Sequence, residues 1–185
     1  MKVIQKLKKN KCLKKVYGDI QTLYYCSLTV LSPELNTKAR YKAAFGRKLD
    51  LKNPKTLNEK ILWLKLYNYI DNPLVSQCAD KYKVREYVKE CGLEDILVKL
   101  YGVYKTAEEI PWDSLPNQFV LKWNFGAGYN IVCTDKAKMD KEAVISQMKK
   151  WGREKYWLPH SEMQYKNYPK VIICEELLNA KEGKQ

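Results

Sequence analysis

The segment Phe119–Cys133 carries the residue types best suited to chemistry in this chain. Lys122 ends an apolar run, and burying an ammonium there is costly unless an anion meets it. Gly126 and Gly128 follow within the loop Asn124–Asn130. Glycines let a backbone approach a phosphate closely and aim N–H groups at it. An ammonium about 4 Å from a phosphate oxygen gains about 4 kcal/mol at an effective dielectric near 20, before desolvation is subtracted. The same residues also suit a plain β-hairpin whose turn is supplied by glycines, with Lys122 snorkelling at its edge. Neither a Gly-Lys-Ser/Thr phosphate loop nor a G-x-G-x-x-G fingerprint is present, so spacing alone leaves both open.

Other constellations are weaker. His160, in a tyrosine-rich stretch, reads as a structural histidine, and Asp113-Ser114 reads as a cap or turn. Tyr156, Trp157, Tyr165 and Tyr168 could stack on sugar rings or pack beneath the glycine loop. The cysteines, at 12, 26, 78, 91, 133 and 174, lack the spacing of a zinc or thioredoxin-like site. No metal ligands are assigned and the catalytic residues stay unknown.

The elements that must position Lys122 read as α+β. Ser32-Pro33 supplies an N-cap and a first-turn proline, with Gly46 as the stop. Thr56-x-x-Glu59 is a capping box. A further helix is expected from Ser76, with Ala79, Val84, Tyr87, Val88 and Cys91 as its buried stripe and Gly92 as its end. After Gly92 the pattern turns to strands at Ile96–Tyr104, Phe119–Trp123, Ile131–Cys133 and Val171–Cys174. A helix capped by Asp140 carries Val144, Met148 and Trp151. The order predicts a helical N-terminal region followed by an antiparallel sheet flanked by helices. We place a basic helical extension at residues 1–54 and the sheet-bearing region at 55–185.

Composition is globular, 45% apolar and 30% charged. The net charge of +13 is uneven. Lys2, Lys6, Lys8, Lys9, Lys11, Lys14 and Lys15 all precede the first acid, Asp19. Residues 1–19 therefore suit either peripheral contact with an anionic membrane face or a solvated helix end. Nucleic acid would attract the same charge, but no nucleic-acid motif accompanies it. Ile20–Leu31 is too short to span a bilayer, and no secretory signal follows the basic start. Reduced thiols point to the cytoplasm, with the inner face of the membrane as a possible station.

Beyond spacing, the set Lys55–Lys60, Ala79–Arg85, Leu115–Lys122 and Ile173–Glu175 resembles the TupA-like ATP-grasp family over roughly residues 30–180. That family takes its name from a protein of teichuronopeptide synthesis and is often labelled a glycosyltransferase in polysaccharide operons. The resemblance implies ATP held between two α+β lobes and an acyl phosphate formed on a carboxylate, which an amine then attacks. It implies that Lys81 and Lys122 contact ATP phosphates and that the loop with Asn124, Gly126, Gly128 and Asn130 folds over them. Glu175 would accept from the adenine amino group. The backbone of Glu176 and Leu178 would meet the purine edge, and Glu182 could reach the ribose.

The resemblance also implies Mg²⁺, whose acidic and Asn ligands lie on strands beyond the adenine hinge. The 185 residues are expected to stop before those strands, as an incomplete lobe that does not turn over by itself. The acceptor would be a polysaccharide or another carboxylate-bearing molecule of the cell surface. Two alternatives stay open: a glycosyltransferase using a nucleotide sugar, although no Asp-x-Asp triplet occurs, and a non-catalytic basic adaptor at the membrane.

Overall fold

The computed structural model describes residues 11–167 and 169–178. They are α+β, with helices before a four-stranded antiparallel sheet. They form two compact units: residues up to Asn72 with Lys155–Lys166, and Pro73–Glu154 with residues from Asn167 onward.

The first unit is helical. Helix α1 spans Lys11–Leu31, α2 Pro33–Phe45 and α3 Leu57–Tyr67. The α1–α2 break falls at Ser32, whose extended backbone and hydroxyl cap the new helix at Leu35 N. Pro33 cannot continue the preceding hydrogen-bond ladder, so it starts a helix. Gly46 ends α2 at φ 69°, a left-handed value that a glycine adopts without strain. Helix α3 opens on the capping box: Thr56 Oγ1 accepts from Glu59 N, and Glu59 Oε2 accepts from Thr56 N. The Glu59 carboxylate also accepts from Lys55 N and from Tyr41 Oη at 2.7 Å, and pairs with Arg47 at 3.1 Å. Tyr41 joins Leu49, Leu51, Leu66 and Leu62 in a small core.

Residues late in the sequence complete this unit. A short helix, α7 (Trp157–His160), packs against α1. Asn36 Nδ2 donates to Thr29 Oγ1, Ser161 Oγ and Pro159 O, a buried polar knot tying α1, α2 and α7 together. Two cations close the end of α7, where helix carbonyls lack partners. Arg40 donates to Pro159 O and Lys65 to His160 O. Part of the chain's positive charge therefore has a structural use.

The second unit carries helices α4 (Pro73–Ala79), α5 (Val84–Glu90) and α6 (Lys141–Gly152) and strands β1 (Leu100–Tyr104), β2 (Phe119–Trp123), β3 (Asn130–Cys133) and β4 (Ile172–Glu175). Strand order is β1-β4-β2-β3, so the last strand lies between β1 and β2. The expected strand from Ile96 begins instead at Leu100, where pairing opposite Glu175 starts. Glu94–Ile96 is a 3₁₀ turn. The helix expected from Ser76 to Cys91 is two helices, with Cys91 exposed. Asp80 divides them because its carboxylate accepts from the Tyr82 and Lys83 amides. Asp140 caps α6 as expected, accepting from Ala143 N, with Val144 and Met148 buried.

Strand β2 alternates Phe119, Leu121 and Trp123 with Val120 and Lys122. The first set lies toward α6: the Trp123 indole donates to Met148 O at 3.0 Å. A Cβ at Gly152 would sit 2.7 Å from that ring, so only glycine lets α6 approach. Among the described residues no helix is long and apolar enough to cross a membrane.

Candidate functional site

On the sheet face opposite Trp123, antiparallel register decides which side chains meet. Val120 pairs with Glu175 and Lys122 with Ile173. Lys122 and Glu175 are therefore diagonal neighbours on one face, close enough for a long side chain to cross. The Lys122 ammonium donates to Glu175 Oε2 at 2.7 Å. The other carboxylate oxygen, Oε1, accepts from Arg85 Nη1 at 3.2 Å, while Arg85 Nη2 donates to Val98 O at 2.7 Å. Glu175 is buried and Lys122 is half-exposed. One carboxylate thus sits between two cations, one of which keeps access to solvent.

The loop after β2 is fastened from below by Asn124. Its side chain is 1% exposed. Its Nδ2 donates to Asp80 Oδ2 at 2.8 Å and to Pro169 O at 3.0 Å, and its Oδ1 accepts from Val171 N at 3.0 Å. The Asn124 carbonyl accepts from Lys81 N at 2.9 Å. Asp80 is equally buried, its two oxygens divided between this amide and the Asp80–Lys83 turn. The Asp80–Lys81 pair is thereby locked to the loop at the end of β2.

Lys81 reaches from that turn to Gly126, donating through Nζ to the carbonyl at 2.5 Å. Gly126 and Gly128 hold φ 66° and 82°, values that favour glycine. Burial holds the Lys81 ammonium below the ordinary lysine range, and the nearby charge of Lys122 lowers it further. The Asp80 and Glu175 carboxylates act in the opposite direction. Two ammonium groups near one another, one partly desolvated, gain when a polyanion approaches. Among Lys81, Lys122, Arg85, Asp80 and Glu175, cations outnumber carboxylates.

Beneath the loop the rings are Trp123, Phe125, Tyr129 and Trp151, in a chain of contacts 5.4 to 5.6 Å apart. Tyr129 Oη donates to Glu154 Oε2 at 2.5 Å. Tyr156, Trp157 and Tyr165 belong to the helical unit, and Tyr168 lies outside the described residues. Asn130 opens β3, exposed and directly across from Lys122.

At the far end of β4 the chain leaves the sheet. Glu176 N donates to Lys99 O at 2.9 Å, one residue past the Leu100–Glu175 pairing. Leu178 is exposed; Glu182 lies outside the described residues. The structure therefore brings Lys81, Lys122, Gly126 and Glu175 together, with Asn124 fastening the loop, Asn130 across from Lys122, Gly128 within the loop, and Glu176 and Leu178 following β4. Sequence reasoning gave no role to Arg85, which sits 90 residues from its carboxylate partner. His160 stacks on Tyr156 in the helical unit, where burial and the charges of Arg40 and Lys65 depress its pKa. Among the described residues no group of three His, Cys, Asp or Glu side chains could hold a metal ion.

A small antiparallel sheet carries Lys122 and Glu175 on one face, and Lys81 reaches from the Asp80–Lys83 turn to the glycine loop beside it. The chain belongs to the TupA-like ATP-grasp family, whose model (TupA-like ATPgrasp) matches residues 59–185. Membership supports an ATP-grasp-related function with nucleotide binding. No curated protein and no solved structure matched the chain.

Proposed function

We propose that the sheet-bearing unit is the ATP-binding part of a ligase-like protein acting on a carboxylate of a cell-surface polysaccharide or related polymer. One observation carries this reading: Lys81 and Lys122, 41 positions apart in sequence, lie near enough for their charges to interact, Lys81 bonded to the glycine loop at Gly126 O and Lys122 to Glu175. The two ammonium groups would neutralise the nucleotide's phosphates. Gly126 and Gly128 keep the loop free of side chains where backbone amides would face phosphate oxygens. Asn124, buried and fully bonded, serves by fixing the loop to Asp80. Asn130, across from Lys122, would complete the loop's rim.

Glu175 would orient Lys122 and accept from the adenine amino group, with the Glu176 carbonyl and the Leu178 amide on the purine edge. ATP would supply a phosphoryl group to the acceptor carboxylate, giving an acyl phosphate open to attack by an amine. Mg²⁺ would be held largely by the nucleotide's phosphates and water, with one or two carboxylates. A peripheral station on the inner face of a membrane, through residues 1–19, completes the reading; residues 1–10 of that stretch lie outside the described residues.

Calorimetric titration with ATP and ADP tests the reading. Wild-type protein should bind both, and Lys122→Ala should bind at least about tenfold more weakly, the loss of one charge-assisted hydrogen bond. Equal binding by the two proteins, or binding of a sugar nucleotide but not of ATP, would contradict it.

A further inference from the structure

We propose that helix α1 lies on an anionic phospholipid surface through one apolar stripe along Leu13–Leu31. The proposal rests on the peripheral-membrane part of the reading above and moves the contact from the basic terminus to a defined helix face.

At 3.6 residues per turn, Leu13, Val16, Ile20, Leu23, Val30 and Leu31 fall on one side of α1. Tyr17 and Tyr24 line its border, and Ser27 is its single polar member. All eight apolar side chains are exposed, Leu23, Val30 and Leu31 by more than 70% each. The opposite side of the helix holds the buried Tyr25 and Thr29, packed toward α2 and α7. The stripe is therefore turned away from the side on which α1 packs. None of Lys14, Lys15 and Asp19 falls within it. From Ile20 to Pro33 the sequence has no charged residue at all. A single exposed leucine is ordinary, but a continuous charge-free stripe is not.

Charge selects the occupant. Seven lysines and no acid precede Asp19. Parallel pairing with a second copy would set these lysines against each other. Antiparallel pairing would set them against an uncharged stretch. An anionic lipid surface meets both features of the sequence, headgroups taking the lysines that precede Asp19 and the acyl boundary taking the stripe. Tyr17 and Tyr24 have the amphipathic rings that settle at headgroup level.

The test is co-sedimentation of the full chain with vesicles of equal parts phosphatidylglycerol and phosphatidylcholine, and with phosphatidylcholine alone. Binding to the mixed vesicles is expected, with loss of at least about a hundredfold on the neutral ones. Ile20→Glu/Leu23→Glu should abolish it. Lys14→Gln/Lys15→Gln should weaken it about fivefold per lysine, an effect erased by high salt. Leu23→Trp reports insertion independently, its emission shifting to the blue with mixed vesicles. Undiminished binding by the double-glutamate protein overturns the proposal. So does an unshifted Leu23→Trp spectrum, or a dimer in ultracentrifugation that the glutamates disrupt while vesicles are ignored. ATP titration of the same variants reports the nucleotide site separately, so failure of one reading is not mistaken for failure of the other.

Discussion

The Lys122 ammonium and the Glu175 carboxylate meet at 2.7 Å across the diagonal of the β2–β4 pair. The cost of a strand lysine is thus offset by an internal anion, which shares its second oxygen with Arg85. Glu175 fixes the direction of the lysine without enclosing it.

That relationship makes Glu175 a stability residue as well as a site residue. Glu175→Gln leaves Arg85, only 15% exposed at its side chain, without its carboxylate. Breaking such a largely buried pair costs about 3 kcal/mol. Urea unfolding should show a lower midpoint with an unchanged slope. A midpoint equal to wild type would mean that the carboxylate contributes nothing to folding.

Asn124 should be the most sensitive loop position. Asn124→Ala removes partners from Asp80, Pro169 and Val171 and leaves a buried carboxylate short of a donor. A loss of about 3 kcal/mol is expected. Hydrogen exchange should rise at Val171, whose amide loses the Asn124 Oδ1 acceptor. Unchanged protection there would refute this role.

Acid should weaken the helical unit through Glu59. Backbone amides, first that of Thr56, then the Tyr41 hydroxyl and the Lys55 amide, hold its pKa at about 2 against an ordinary 4.5. A carboxylate with a depressed folded pKa stabilises fully above the unfolded value and loses that contribution as pH falls toward the folded one. Thermal unfolding should therefore show stability declining between pH 4.5 and about 2. Glu59→Gln, already less stable at neutral pH, should show a smaller decline. Parallel pH curves for the two proteins would contradict the assignment.

The thiols should divide by burial. Cys12, Cys78 and Cys91 are exposed, whereas Cys133 and Cys174 are buried. Burial pushes the Cys174 thiol up to about 12, with the Glu175 charge adding to it. Maleimide should label the first three in the native state and the last two only after unfolding. Native labelling of Cys174 would show the central strand to be open.

Local signals in the sequence were sufficient wherever one side chain sets one boundary. Ser32-Pro33, Thr56 with Glu59, and Asp140 each cap the helix they precede, because a cap is settled within four residues. β2 was legible as a continuous apolar run interrupted by one lysine. The break at Asp80 was not: it is a local turn in which the carboxylate accepts from the Tyr82 and Lys83 amides, masked in the sequence by an apolar stripe that runs on from Ala79 to Val88. The site divides in the same way. Lys122 and its glycines stand together in sequence, but their nearness to Glu175 depends on the register of β4 beside β2. Arg85 carries no local mark of its partner, so only the folded sheet reveals it.

The central claim is that the Lys81 and Lys122 ammonium groups receive a nucleotide's phosphates. Lysine-directed acylation read by mass spectrometry, with and without saturating ATP, measures that contact directly. ATP should slow modification of Lys81 and Lys122 several-fold while exposed lysines such as Lys60 and Lys138 react as before. Unchanged reactivity at both positions in protein that demonstrably binds ATP would contradict the account.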